Sequence, residues 1–184
     1  MDEAYLLSLL NKIKSGKVSV EKGLQDIKNL PYEDLGYAKV DHHRVLRKGY
    51  PEAIYCEGKQ DEQIIGIVKA LIKKNSNIIA TRIHDEAAQK LVKLDSRFIH
   101  NEMGRICTLE LSPVAKKPKP IVIASGGTSD LPVVEEASET AKIMGNSVIP
   151  LVDVGVAGIH RLLDKRNILE EAGVIIVIAG MEEL

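Results

Sequence analysis

The last third of the chain carries three nearly unbroken apolar runs: "PIVIAS" (120–125), "SVIPLVD" (147–153) and "AGVIIVIAG" (172–180). Two stretches of helical periodicity separate them. The first, 131–144, repeats Val134, Ala137, Ala141 and Met144 on one face; the second is "AGIHRLLDK", expected to break near Asn167. A strand that is apolar along its whole length is buried on both faces. Such strands alternating with helices join as parallel βαβ units. Residues 121–184 are therefore predicted to form an α/β domain, a parallel sheet between layers of helix.

The front of the chain reads differently. Leu6, Leu7, Leu10 and Ile13 recur at helical spacing over 3–15, and "SVEKGLQDIKNL" starts at a Ser cap and stops before Pro31. Residues 1–34 thus predict a helical hairpin that packs on the neighbouring domain or on another subunit. Residues 35–111 predict a small mixed α/β domain. "YAKVD", "EAIYC", "NIIATR" and "FIHNEMGRICTLEL" read as strands, and "DEQIIGIVKALIKK" and "DEAAQKLVKL" as amphipathic helices. "SPVAKKPKP" (112–120), with three Pro and three Lys, reads as a linker.

Composition narrows the function. A net charge of −1 gives no bulk attraction for nucleic acid or for a membrane surface. With no Trp and one Phe, a base-stacking platform is not expected. The start "MDEAYLLSLL" puts acidic residues before its apolar run, unlike a signal peptide, and no apolar stretch has the roughly 18 residues of a membrane span. Two cysteines without a CxxC spacing fit a reduced, cytoplasmic setting.

In open parallel sheets, ligands sit beyond the carboxyl ends of the strands. Here each of those ends is marked by glycine: Ser125-Gly126-Gly127-Thr128-Ser129-Asp130, Asp153-Val154-Gly155, and Ala179-Gly180-Met181-Glu182. In the first, glycines let backbone N–H groups turn outward, Thr128 and Ser129 add hydroxyl donors, and a helix start follows. That suits a phosphate or ribose. The competing reading, an N-cap and a tight turn, is equally compatible with the loop alone. It matches neither a Walker loop nor GxGxxG. Asp153 is a candidate for hydroxyl binding or a turn residue. His160, early in the following helix with Arg161 beside it, is a candidate proton carrier or a surface histidine.

"DHHR" (41–44) suggests a metal at first sight. On a strand, however, His42 and His43 would point to opposite faces, so no metal site is expected. Cys56 and Cys107 fall on predicted strands and are expected to be buried and inert.

"SGGTSDLPVVEEASETAKIMGNSV" resembles the opening of the aminoimidazole ribonucleotide carboxylase (PurE) fold, a flavodoxin-like three-layer αβα sheet. "DVGVAGIHRLLDK" and "DHHRVLRKGYPEAIYCEGKQDEQ" resemble the LarB branch more closely, with Val-Gly-Val-Ala-Gly in place of Ser-Ala-His-Arg. The likeness runs from about residue 35 to the end. LarB proteins are pyridinium-3,5-biscarboxylic acid mononucleotide synthases of nickel-pincer nucleotide synthesis. The resemblance implies carboxylation of nicotinic acid adenine dinucleotide with CO2 or bicarbonate, and phosphoanhydride hydrolysis releasing AMP. A thiolate would add to the electrophilic pyridinium, and the resulting enamine carbon would attack CO2.

Carried over residue by residue, Ser125, Gly126, Gly127, Thr128, Ser129 and Asp130 would hold phosphate or ribose. Asp153, Val154 and Gly155 would follow the nucleotide, and Gly180, Met181 and Glu182 would line the third wall. His160 and Asp130 would be the catalytic candidates. No tightly bound cofactor is implied; Mg2+ could accompany the phosphates. The assembly implied is a homo-oligomer.

This sequence departs from the family in two ways. Glu183 stands where the family has Gly, and the family's nucleophilic Cys lies in strands beyond "AGMEEL". The chain is therefore expected to be a shortened product, a proteolytic fragment or part of a longer chain. Two alternatives stay open: an aminoimidazole ribonucleotide carboxylase or mutase of purine synthesis, and a non-catalytic nucleotide-binding or assembly chain.

Overall fold

The computed structural model describes residues 3–28, 32–42 and 44–180. Helices α1 (Glu3–Lys14) and α2 (Val20–Lys28) form the hairpin expected at the front of the chain. Ser19 Oγ accepts from the Lys22 N–H at 3.1 Å and starts α2. Leu9 is buried, whereas Leu7, Leu10, Leu24 and Ile27 keep an apolar face exposed.

A two-stranded ribbon comes next, β1 (Glu33–Asp34) and β2 (Lys39–Val40), antiparallel. "DHHR" is then not a strand: residue 42 lies in a turn and α3 (Arg44–Lys48) begins at its arginine. The alternation argument, which needs a strand, therefore does not apply here. His42 is buried, and its Nε2 lies 3.3 Å from Glu33 Oε2. His43 is outside the described residues.

The first sheet contains β3 (Ala53–Tyr55), β4 (Ile78–Thr81), β5 (Ile99–Asn101) and β6 (Ile106–Leu109) in the order β3-β4-β6-β5. Only β3 and β4 are parallel. Helices α4 (Asp61–Lys73) and α5 (Asp85–Leu94) cover one face, with Ile64, Val68, Leu71 and Leu91 packed on Ile78, Ala80 and Leu109. Asp61 ties the two helices, taking Lys90 Nζ at 2.6 Å and His84 Nε2 at 3.0 Å.

Because side chains alternate along a strand, Ile79 and Ile106 point the other way. They meet Ile143 and Met144 at the end of α6 (Leu131–Ile143). The connecting segment is anchored rather than free: Asn77 Oδ1 accepts from both the Leu111 and Ser112 N–H groups, each at 2.8 Å.

The second sheet is parallel throughout: β7 (Ile121–Ser125) lies between β8 (Val148–Leu151) and β9 (Val174–Ile178). Val122 and Ala124 face α7 (Ile159–Leu163) and α8 (Arg166–Glu171) through Leu162, Ile168 and Leu169. The helix break falls at Asp164–Lys165, ahead of Asn167: Asp164 N–H still makes the helical bond to the His160 carbonyl, but Lys165 N–H donates to Leu162, three residues back. Helix α6 packs on the other face and so lies between the two sheets, touching β7 and β8 on one side and β4, β5 and β6 on the other. The layers read helix, mixed sheet, α6, parallel sheet, helix.

The apolar run of β9 predicts burial on both faces, whereas a parallel sheet of three strands must leave an apolar edge open, and β9 is an edge strand. Val174, Ile175 and Val177 are each about half exposed. An apolar groove of about 420 Å³ runs between its Ile176 and α6, lined also by Val133, Ala137 and Thr81. No helix of the described residues is long and apolar enough to cross a membrane.

Two consequences can be measured. Burial outweighs the Glu33 hydrogen bond and lowers the His42 pKa below its usual 6.5. The unfolded chain therefore takes up that proton first, and stability present above about pH 6.5 is lost as pH falls through the lower folded value. The thermal midpoint should be level above neutrality and decline below it, and H42Q should flatten that decline. Gly104 lies against α6, where an added Cβ would sit 2.8 Å from the Glu136 backbone nitrogen. G104A should destabilise the fold by about 1–3 kcal/mol in urea titration.

Candidate functional site

The carboxyl ends of β7, β8 and β9 come together as one shelf. Ser125 is fully buried and is the hub: its carbonyl accepts from the Val154 N–H at 3.0 Å, and its Oγ from the Asp153 N–H at 3.4 Å. Gly126 joins all three ends. Its N–H donates to Ile178 at 3.0 Å, and its carbonyl accepts from Gly155 at 3.1 Å. Gly155 must be glycine for this approach, since a Cβ there would lie 2.7 Å from the Gly126 oxygen. Val154 is buried beneath the shelf.

The loop of 126–130 differs in one respect from a ready phosphate cradle. The Gly126 and Gly127 N–H groups do not point into the open. Gly126 N–H is committed to Ile178, and Gly127 N–H donates to Asp130 Oδ2 at 3.0 Å. Residues Thr128–Asp130 form a single 3-10 turn that runs into α6. The first N–H groups of such a turn have no partner within it. The donors left for a ligand are the N–H and hydroxyl groups of Thr128 and Ser129, both exposed. Asp130 is the lock of the loop, and its other oxygen faces the third strand end, 3.8 Å from where a Gly180 Cβ would be.

Asp153 adopts φ 60°, a left-handed conformation that costs an aspartate on the order of 1 kcal/mol. Arg161 holds it there through an ion pair from Nη1 to Asp153 Oδ2. Nothing in the spacing of the sequence assigns Arg161 this role. It becomes the partner of Asp153 only when the turn of Val156–Gly158 folds α7 back over the strand end. His160 is exposed at the start of α7. Met181 and Glu182, read as part of the third wall, lie outside the described residues.

Both cysteines are buried free thiols. Burial pushes Cys56 up to about 11, against a small opposing pull from Lys59, and Cys107 up to about 12. Neither is a thiolate near neutrality. Among the described residues, no three His, Cys, Asp or Glu side chains are grouped so as to hold a metal.

Comparison with known proteins places this architecture. The LarB/PurE-like N-terminal domain matches residues 32–112, which cover the β1–β2 ribbon and the mixed sheet. An uncharacterized protein of Methanocaldococcus jannaschii is 37% identical over 186 residues, covering 96% of this chain and 73% of that protein. This chain belongs to the LarB/PurE-like family. The family is carboxylase-related, and its mixed α/β architecture agrees with the two sheets and their helices. In this LarB/PurE-like chain the glycine shelf lies outside residues 32–112, so its assignment rests on the geometry of the strand ends.

The buried thiols predict a simple outcome. In the folded protein Cys56 and Cys107 should resist a thiol reagent such as dithionitrobenzoate at pH 8, and both should react at once in denaturant.

Proposed function

We propose that this chain binds a dinucleotide on the shelf formed by β7, β8 and β9 and belongs to a synthase that carboxylates the pyridinium ring of nicotinic acid adenine dinucleotide. CO2 or bicarbonate would be the carbon source, and AMP would leave on phosphoanhydride hydrolysis. The observation that carries this reading is the convergence of Ser125–Asp130 and Asp153–Gly155 with the end of β9, through the hydrogen bonds of Gly126 to Ile178 and Gly155 and the approach of Gly180 to Asp130.

The chain's own groups then divide the work. The Thr128 and Ser129 donors take a phosphate, helped by the positive end of the turn and helix. The free Asp130 oxygen accepts a ribose hydroxyl. Asp153, held by Arg161, lines the path of the nucleotide. His160, exposed at the start of α7, would deliver a proton to the leaving phosphate in the hydrolytic step. A Mg2+ ion would take most of its ligands from phosphate and water, since no cluster of protein ligands converges here among the described residues. Residues of the mature site that carry the nucleophile are not Cys56 or Cys107, whose thiols stay protonated.

That last observation favours a second reading, a nucleotide-binding or assembly chain that does no chemistry by itself. A purine-pathway carboxylase is the enzyme alternative. Calorimetry with nicotinic acid adenine dinucleotide and a 13C-bicarbonate assay separate the three. Binding with label incorporation supports the synthase, binding alone the non-catalytic chain, and turnover of aminoimidazole ribonucleotide the purine enzyme. D130A should weaken dinucleotide binding at least about tenfold, the worth of one charge-assisted hydrogen bond; unchanged affinity would remove Asp130 from the site.

A further inference from the structure

Two carboxylates sit awkwardly close to the proposed phosphate site. Glu135 and Glu136 follow Asp130 by five and six residues on α6, roughly 8–9 Å along the helix axis. That is about one Debye length at physiological salt. Part of the intervening space is protein, which screens less than water. Left uncompensated, they would repel an anion at Thr128 and Ser129.

The mixed sheet neutralises one of these carboxylates and hydrogen-bonds the other. Arg82 Nε lies 3.1 Å from Glu136 Oε1 and 3.0 Å from Oε2, and Asn101 Nδ2 donates to Glu135 Oε2 at 2.6 Å. The Glu136 side chain is only 18% exposed, so this pair is partly shielded from solvent. Arg82 reaches α6 because the chain turns sharply at the end of β4. Its φ is 53°, and the neighbouring Arg105 has φ 48°. The two left-handed residues brace each other: Ile83 N–H donates to the Arg105 carbonyl at 2.9 Å, and Arg105 Nη2 to the Arg82 carbonyl at 3.4 Å. Strained backbone is kept where the surrounding structure holds it in place. The packing of α6 does not need this pair, since Ile143 and Met144 meet Ile79 and Ile106 independently.

We infer that Arg82 is a positioning residue for the nucleotide site: by neutralising Glu136 on α6 it keeps the Gly126–Asp130 loop receptive to the phosphate of a nucleotide. The mixed sheet thereby contributes to a site that it does not touch. This rests on the assignment of that loop under the proposed function.

The test is titration of the full chain with nicotinic acid adenine dinucleotide at low and physiological salt, together with the amide resonances of Gly126 and Gly127 in the ligand-free protein. R82A should weaken binding by about threefold to tenfold, more at low salt. R82K, which keeps the charge, and R82A/E136Q, which removes both charges, should return affinity to within about twofold of the unaltered protein. A purely structural pair would not be rescued by E136Q. R82A should also shift the two glycine amides, and R82A/E136Q should bring them back. Affinity and salt dependence unchanged in R82A, or no rescue in the double variant, would overturn the inference. If R82A does not fold, E136Q alone decides: tighter binding at low salt is expected, and unchanged or weaker binding overturns it. If the unaltered protein binds no dinucleotide while D130A folds normally, the functional reading fails. The amides then decide on Arg82 by themselves, and unmoved resonances in R82A count against it.

Discussion

Helix α6 is wedged between two sheets, and the rest of the molecule is arranged around that contact. A helix buried on two opposite sides needs small or apolar residues on both. Val134, Ser138 and Ala141 are buried along its length, and Ile143 closes its end against Ile79 and Ile106. Glu135 and Glu136, also on this helix, are taken by Asn101 and Arg82 of the mixed sheet. The same helix starts at Asp130, the residue that locks the glycine loop. Packing between the sheets and geometry at the shelf are therefore set by one element.

The shelf itself shows that a glycine loop can serve the packing of strand ends before it serves any ligand. Two of its N–H groups are already committed: that of Gly126 ties β7 to β9 at Ile178, and that of Gly127 closes the loop on Asp130. The glycines serve close approach of backbones first, most clearly where Gly155 meets Gly126. What remains for a ligand is the next pair of residues, with exposed hydroxyls, and two carboxylates: Asp130, fixed by the loop, and Asp153, fixed by Arg161. The thiols contribute nothing, because burial in the mixed sheet keeps them protonated.

The match to the LarB/PurE-like N-terminal domain covers the mixed sheet and stops short of the parallel one. The matched region, 32–112, ends where Asn77 clamps Leu111 and Ser112. The two sheets are thus tied covalently through an anchored segment and physically through α6. Apolar surface remains open at β9 and on the α1–α2 hairpin, in the form of Val174, Ile175, Val177, Leu7 and Leu10. Surface of that kind is where contacts with further protein form.

Period and turn chemistry in the sequence determined the elements. Apolar runs became β7, β8 and β9, helical spacing became α1, α2, α4, α5 and α6, and glycine marked the strand ends. These signals are local, so one chain segment contains them. The helical turn at "DHHR", the residue at which α7 gives way to α8, and which of the three apolar strands takes the centre of the sheet were not legible. Each depends on what lies beside the segment rather than on the segment itself. Only the tertiary structure decided that Arg161 holds Asp153, that Arg82 reaches Glu136 across 54 residues, and that Gly126 spends its N–H on Ile178. Charges and backbone donors choose partners by distance in space, and that distance does not exist until the sheets close on α6.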